Sequence, residues 1–332
     1  MTKKKVPTIR DVAAAAGVST ATVSKFINGG KRFSPAVEAH IQQVITELGY
    51  CSNPQAQSMI TGRTRSIGIA ILDITNPHFT SLVKGANRVA IEHGYSVLLV
   101  DTEENLARER PLVEALNRRV DGMLLYSRLP EKELEWLVGF DKPVVYYGRL
   151  QQLALPSVSG DDAAGAALLT QYLVGHGHRK IAYLGFPKSH RSDERKSGIL
   201  AGLKGTRQHV HEYAAEAPTA EEGERLCASI MLGGDRPDAL ICYNDLIALG
   251  FMKEAQTLGF KLPEDISVAG FDNIPYGRFV FPPLTTVDLQ SEKMGMVGME
   301  RLLAAIEGKE GDSLSVVEPQ LILRASTASR RR

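Results

Sequence analysis

The residues best suited to chemistry lie near the start of the chain, in TIRDVAAAAGVSTATVSKFIN (residues 8–28), and the chemistry they suit is recognition of nucleic acid. Thr20, Ala21, Thr22, Ser24 and Lys25 are small polar or cationic side chains of a size that fits a DNA groove. They need helices to present them. Ile9, Val12 and Ala13 recur at i, i+3, i+4 and predict a first helix, with Ala14, Ala15 and Ala16 small enough for a second helix to approach. Gly17 predicts its stop, Ser19 or Thr20 caps the second helix, and Val23, Phe26 and Ile27 form that helix's buried face. Two short helices joined at a glycine make a helix-turn-helix. In such motifs the second helix lies in the major groove with its N-terminal residues at base edges.

Signals for catalysis and metal binding are missing from the sequence. It contains no G-x-x-x-x-G-K-[ST], no G-x-S-x-G and no H-E-x-x-H, and its eight histidines show no metal-ligand spacing. His176 and His178 in GHGHRK predict a helix-to-strand turn. Asp161 and Asp162 are adjacent rather than facing, which favours a crossover or helix-cap role over paired-carboxylate chemistry. Asp245 is expected to cap a helix starting at Leu246. Cys51, Cys227 and Cys242 are far apart with no C-x-x-C pair, so neither a zinc site nor a disulfide framework is predicted. The expectation is a protein that is no enzyme and holds no cofactor or metal.

With 332 residues and 43% hydrophobic content, the chain is long enough for two or three domains. The net charge of +1 hides an asymmetry, because residues 1–65 carry nine Lys/Arg against three Asp/Glu, a balance of +6, and the rest carries −5. That split puts nucleic acid or an acidic surface with the small N-terminal unit and leaves the body to another task. Met1–Lys5 is basic but no apolar signal region follows, and no run of eighteen apolar residues could span a bilayer. A cytoplasmic location is expected.

In GGKRFSP, Ser34 and Pro35 predict the cap and first position of a third helix through about Leu48, with core face Val37, Ile41, Val44, Ile45 and Leu48, and Tyr50 covering the core. Residues 53–62, NPQAQSMITG, offer about two helical turns, and helices that short are marginal alone. This segment is predicted to be a linker that folds only when held. Beyond it, apolar runs at 67–72, 96–100, 122–126 and 144–147, then 181–185, 239–242 and 267–271, alternate with helical patterns such as 163–174 and 246–258. That βαβ rhythm predicts two doubly wound parallel-sheet lobes. Ligands of such sheets bind beyond the strands' carboxyl ends, here Asp73 to Phe79, Tyr126 to Arg128, Gly148 to Arg149, Tyr243 to Asp245 and Asp272 to Asn273.

V-A-A-A-A-G-V-S-x-A-T-V-S-K-F-I-N followed by L-G-Y-x-x-N-x-x-A resembles the DNA-binding headpiece and hinge of the lactose-repressor (LacI/GalR) family. The resemblance continues through I-T-N-P-H-F, V-D-G-M-L-L, Y-N-D-L-I-A-L-G and D-I-S-V-A-G-F-D-N, covering essentially the whole chain. It implies a helix-turn-helix headpiece (1–52), a hinge helix (53–62) and a periplasmic-binding-protein-like body (63–332), with one lobe at about 66–159 and 288–316 and the other at about 160–287 and 317–328. It also implies a transcriptional repressor that works as a homodimer on a pseudo-palindromic operator. In this sequence Thr20, Ala21 and Lys25 would read bases, and Thr8, Ser19, Thr22, Ser24 and Asn28 would hold phosphates. Lys25 stands where the family often has arginine, so its guanine contact would be single rather than bidentate. Asn53, Ala56, Gln57 and Met59 fall in the hinge, where Met59 replaces a minor-groove leucine wedge and Gln57 an arginine. The chain ends in RASTASRRR without the leucine-heptad tail that pairs dimers in the lactose repressor, so dimers are expected.

The same resemblance puts a small carbohydrate-type effector between the lobes, contacting Asn76, Phe79, Tyr126, Arg149, Arg195, Asn244 and Asp272. The family often has an aspartate where this chain has Gly148, and Arg128, Lys188, His190 and Arg191 are expected near the cleft. One carboxylate fewer and several cations more favour a sugar acid or sugar phosphate over a neutral sugar. The rival reading, an exported or receptor-type sugar-binding protein, shares the body but has no use for residues 1–62.

Overall fold

The computed structural model describes residues 7–27, 33–50, 62–309 and 311–330, within two compact units, Met1–Thr64 and Arg65–Arg332. In the first unit, helices α1 (Ile9–Ala16), α2 (Thr20–Ile27) and α3 (Pro35–Leu48) surround a small core. Val12, Ala13, Ala16, Val23, Ile41 and Val44 are buried there, with Ile9, Val18, Phe26, Ile27, Val37, Ile45 and Tyr50 packed against them. Gly17 and Gly49 both take φ +62 at helix C-termini, a left-handed conformation that costs other residues strain. Thr8 caps α1, its backbone N and hydroxyl both 2.7 Å from the Asp11 carboxylate. Ser19, not Thr20, caps α2, its Oγ accepting from the Thr22 N–H at 3.1 Å. Three of the residues expected at helix contacts are exposed. Ala14 and Ala15 face solvent because only Ala13 and Ala16 fall on the α1 stripe, and Leu48 lies in the last, exposed turn of α3. The predicted hinge residues Asn53, Ala56, Gln57 and Met59 lie outside the described residues, as does Asn28.

The second unit holds two six-stranded sheets. Sheet one is built from β1 (Ser66–Ile71), β2 (Ser96–Asp101), β3 (Gly122–Leu125), β4 (Val144–Tyr147), β5 (Ser157–Gly160) and β11 (Leu314–Val317), in the order β11-β5-β4-β3-β1-β2 and parallel throughout. Sheet two is built from β6 (Ile181–Gly185), β7 (His211–Ala214), β8 (Ala239–Cys242), β9 (Ser267–Phe271), β10 (Thr285–Asp288) and β12 (Gln320–Ile322), in the order β12-β10-β9-β8-β6-β7. Only β10 and β12 pair antiparallel. The chain therefore crosses between sheets after β5, after β10 and after β11. Central strands such as β3, β4, β8 and β9 are buried at every position, as expected of strands covered by helices on both faces.

Six helices make three close pairs: α4 (Pro77–Glu92) with α10 (Ser291–Ile306), α6 (Asp162–Gly175) with α7 (His190–Gly202), and α8 (Ala220–Met231) with α9 (Asp245–Thr257). Glycines set the approach. A Cβ at Gly295 would stand 2.0 Å from the Leu82 carbonyl oxygen, and one at Gly250 1.8 Å from that of Ala220. Helix α5 (Leu106–Asn117) covers sheet one. Among the described residues no helix is long and apolar enough to cross a membrane.

Two capping expectations change. Asn244, not Asp245, caps α9, its side chain accepting from the Ile247 N–H at 2.9 Å. Asp245 is instead buried, with its carboxylate accepting from the Thr286 hydroxyl (2.6 Å) and the Ile274 N–H (2.8 Å). Asp161 does cap α6, accepting from Ala164 N–H at 3.0 Å. Asp162 does something else, described below. His178 is a buried turn residue, bonded to Asp238 Oδ1 (3.2 Å) and the Ala328 carbonyl (3.0 Å).

Candidate DNA-reading helix and inter-lobe site

On the first unit, α2 turns its apolar side inward through Val23 and leaves Thr20, Ala21 and Lys25 exposed, with Thr22 and Ser24 half-buried beside them. Thr8 and Ser19 are also exposed, although their hydroxyls are engaged in the two helix caps. The outward row is short, uncharged except at Lys25, and begins at a helix N-terminus, where backbone N–H groups favour an anion such as phosphate.

On the second unit, the strands' carboxyl ends from both sheets meet across a cleft. Asn76, Phe79, Tyr126, Arg195, Asn244 and Asp272 line one inner cavity of about 20 Å³, joined by His78, Arg128, Arg191 and Tyr243. Tyr126, Arg128 and Arg191 separate it from a middle cavity of about 40 Å³ that also touches Tyr146, Tyr147, Gly148 and Arg149. Arg149, Tyr146, His190 and Glu194 in turn border an outer groove of about 500 Å³. Six of the seven expected effector residues thus share one wall system, and Arg149 stands farther out, its Nη2 3.4 Å from Asp161. Lys188 is not part of the cleft. Its Nζ reaches the Glu216 carbonyl at 3.2 Å on the exposed side.

Each side chain is held by its element. Asn76 caps α4, accepting from His78 N–H at 3.0 Å, and so fixes the loop leaving β1. Phe79 and Tyr147 clasp Tyr126, the first edge-on at 5.0 Å and the second stacked at 5.7 Å. Asp272 sits at φ +102, and the next residue, Asn273, at φ +53. Such backbone costs about 1–3 kcal/mol per residue and persists only where neighbours over-determine it. Here the neighbours are Val287, whose carbonyl accepts from Asp272 N–H, and Asp245, which accepts from Ile274 N–H. Gly148, at φ +148, leaves room for the Tyr146 ring, whose edge would lie 2.6 Å from a Cβ.

Sequence reasoning placed Arg191 and Arg195 at the cleft but missed the carboxylate that joins them. Asp162 is fully buried and binds Arg191 Nη1 at 2.9 Å and Arg195 Nε at 2.7 Å. Burial alone would raise its pKa, but Arg195 and then Arg191 outweigh burial and hold the carboxyl below its ordinary value. Arg195 also bonds the Tyr243 carbonyl and lies over the rings of Phe271 and Tyr243 at 4.4 and 4.7 Å. Arg191 Nη2 is buried without a hydrogen-bond partner. The sequence held a signal: Arg191 and Arg195, four apart on one helix, share a face and need an anion there if that face is buried. Tyr243 and His78 carried none beyond their positions at a strand end and a helix start.

His78 tests for hidden catalysis. Its Nδ1 lies 2.8 Å from Ser291 Oγ and 3.6 Å from Asp272, while Nε2 meets the Tyr126 hydroxyl at 3.2 Å. Burial lowers its pKa below the ordinary histidine value despite Asp272 nearby. A nucleophile relay requires serine and carboxylate on opposite ring nitrogens. Here both use Nδ1, so the trio orients the ring and does not activate a nucleophile. Among the described residues no three His, Cys, Asp or Glu side chains cluster as a metal site.

Residues 8–53 match the family model described as bacterial regulatory proteins, lacI family, and residues 170–327 match the periplasmic binding protein-like domain. The chain is 33% identical to the HTH-type transcriptional repressor PurR of Vibrio vulnificus over 329 residues, covering 96% of this chain and 97% of that one. It is 34% identical to the ribose operon repressor of Halalkalibacterium halodurans, again over 96% and 97%. The fold matches that of the lac repressor dimer bound to operator and the anti-inducer ONPF, with a TM-score of 0.89 at 24% identity over 98% of this chain and 100% of that one. It also matches the transcriptional regulator CelR–cellobiose complex, with a TM-score of 0.70 at 28% identity over 96% and 99%. The chain belongs to the lacI family of bacterial regulatory proteins: it is a DNA-binding transcriptional repressor with a periplasmic-binding-protein-like body.

Proposed function

We propose that this repressor acts in the cytoplasm as a homodimer on a pseudo-palindromic operator, and that a small carbohydrate-type effector in the inter-lobe cleft sets its operator affinity. The observation that carries this reading is the pairing, in one chain, of an outward-facing recognition helix with a polar, arginine-rich cleft between two lobes. Thr20, Ala21 and Lys25 read bases; Thr8, Ser19, Thr22, Ser24 and Asn28 hold phosphates; Asn53, Ala56, Gln57 and Met59 act in a hinge at 53–62 between a headpiece at 1–52 and the body from 63. The body is a binding module and not an enzyme, a reading that the His78 geometry supports.

The effector contacts Asn76, Phe79, Tyr126, Arg149, Arg195, Asn244 and Asp272. A carbohydrate is supported by relatives named for the ribose operon and for a cellobiose complex. An anionic one, a sugar acid or sugar phosphate, is supported by Arg191 Nη2, a buried donor that lacks an acceptor. Arg191 and Arg195 already share Asp162, Arg195 also faces Asp272 at 3.8 Å, and Arg128 already holds Glu104. Three carboxylates thus answer three guanidiniums, and the anion would be met by the open Arg191 Nη2 rather than by surplus charge, which suits one carboxylate or phosphate and not a polyanion. Dimerisation through the body is supported by Phe279 and Phe281, each 84% exposed, with Tyr276 exposed beside them.

Removing residues 1–62 is expected to abolish operator binding while leaving the body folded and able to bind its effector, measured by DNA titration and by a thermal-shift screen of sugars, sugar acids and sugar phosphates. A ligand at a hundred times its dissociation constant raises stability by about 2.7 kcal/mol. Turnover of any ligand by the truncated body would defeat the reading. Within the headpiece, Lys25→Ala is expected to weaken operator binding by about 1–3 kcal/mol and random-DNA binding far less, as a base-reading contact should. An equal loss on both DNAs would make Lys25 a phosphate contact.

A further inference from the structure

We propose that Arg128 is a latch that ties the two lobes to each other across the cleft, doing from within the chain what a bridging ligand does from outside. The proposal rests on the reading of the cleft as the effector site. Arg128 belongs to the first lobe, in the loop after β3, and is anchored there by a two-pronged pair with Glu104: Nε to Oε2 at 2.9 Å and Nη2 to Oε1 at 2.8 Å. Its remaining nitrogen leaves that lobe. Nη1 donates to Ser189 Oγ at 2.9 Å and to the Tyr243 hydroxyl at 3.2 Å, both in the second lobe. Tyr243 in turn donates to Ser189 at 2.9 Å, so the two acceptors are already joined to receive it. The guanidinium also lies 5.4 Å from the centre of the Phe186 ring, a third contact across the cleft.

The arrangement has the features of a built contact. The Arg128 side chain is 8% exposed, and each of its three nitrogens has a partner. A planar guanidinium fixed on one edge by a carboxylate presents its other edge at a set angle, which lysine could not do. Arg128 also forms part of the wall between the inner and middle cavities, of about 20 and 40 Å³. Ligand sites generally need about 300 Å³ or more, so a sugar-sized body cannot occupy that part of the cleft while Arg128 reaches across it. Tying the lobes together and narrowing the cleft are then one act of one side chain. Arg128 is a positioning residue: it sets how much effector binding must change.

The test uses amide hydrogen exchange on the full-length protein without DNA or effector, so that its outcome does not depend on operator binding. Ser189→Ala combined with Tyr243→Phe removes only the acceptors in the second lobe and leaves the Arg128–Glu104 pair whole. The expected result is exchange roughly tenfold faster in the cleft segments on both sides, residues 126–131 and 186–191, with the β1 and β8 amides unchanged. Arg128→Ala, which also removes the Phe186 contact and the Glu104 pair, should speed cleft exchange at least as much. In the triple variant the two effects should sum to clearly less than their separate values, because both cut the link to Ser189 and Tyr243. Cleft exchange that stays within about twofold of the parent, or effects that add, would overturn the latch. If instead the parent protein failed to bind any operator-like palindrome, the functional reading would fall while the exchange result still decided the latch.

Discussion

Replacing Asp162 with alanine is expected to lower the unfolding free energy of the body by about 3–5 kcal/mol, the cost of breaking a buried ion pair by removing one partner. The reason is what remains. Arg191 and Arg195 would stay in the cleft wall, with side chains only 10% and 3% exposed, and of the two only Arg195 would keep a carboxylate, Asp272, at 3.8 Å. Arginine does not escape by losing its proton. Asp162→Asn keeps the shape and should lose nearly as much, since the carboxylate's charge and not its volume is what the arginines require. The pH dependence follows from the direction of the shift. Asp162 has a folded pKa held below its ordinary value, so its contribution is complete above the ordinary value and is lost as pH falls from there through the lower folded value. The stability gap between parent and Asp162→Ala should therefore be widest near neutrality and narrow at acid pH. Denaturant titrations at several pH values measure this, and a gap under about 1 kcal/mol at pH 7 would show that the two arginines find other partners.

The triad also shows where sequence reasoning reached its limit. The helix-turn-helix was legible because its signals are local: Gly17 and Gly49 at the positive-φ positions, Ser19 at a cap, Val12 and Val23 on inward stripes. The long central strands were legible as apolar runs. β5 (SVSG) and β7 (HEYA) were not, because four residues of mixed polarity have no periodicity of their own and become strands only through pairing with β4, β11 and β6. β10, β11 and β12 are of the same kind, set by crossovers between sheets. At the cleft, strand-end logic brought Tyr126, Asn244 and Asp272 together, since the rule about ligand position in parallel sheets is topological. It could not reveal that Asp162, one position past a helix cap, turns inward to two arginines about thirty residues away along the chain. Nor could it separate Arg128, which crosses the cleft, from Lys188, which leaves it.

Phe279→Arg together with Phe281→Arg is expected to convert the proposed dimer to monomers and to weaken operator binding by about 10²–10⁴-fold. Both rings are 84% exposed in a single chain, on a loop before β10 that the Leu284 N–H bond to the Gly277 carbonyl closes at 2.8 Å. Gln256 Nε2 holds the Phe281 carbonyl at 2.7 Å from α9, so the segment is anchored while its aromatic faces are bare. Exposed aromatic side chains close together in sequence are candidates for a partner surface, and under the proposed reading of a pseudo-palindromic operator the partner is a second copy related by a dyad. Arginines at these positions leave the anchoring backbone bonds intact but set four cations against each other across the dyad, a repulsion that cannot be relieved by repacking. The effect on DNA follows because two joined headpieces bind their half-sites with a high local concentration, and a single headpiece loses that advantage without losing any contact of its own. Sedimentation would report the monomer, and titration with a full operator and with a half-site would report the loss. The variant should bind the two DNAs about equally, whereas the parent should strongly prefer the full operator. A dimer that survives both substitutions, or a monomer that keeps full operator affinity, would move the interface elsewhere on the body.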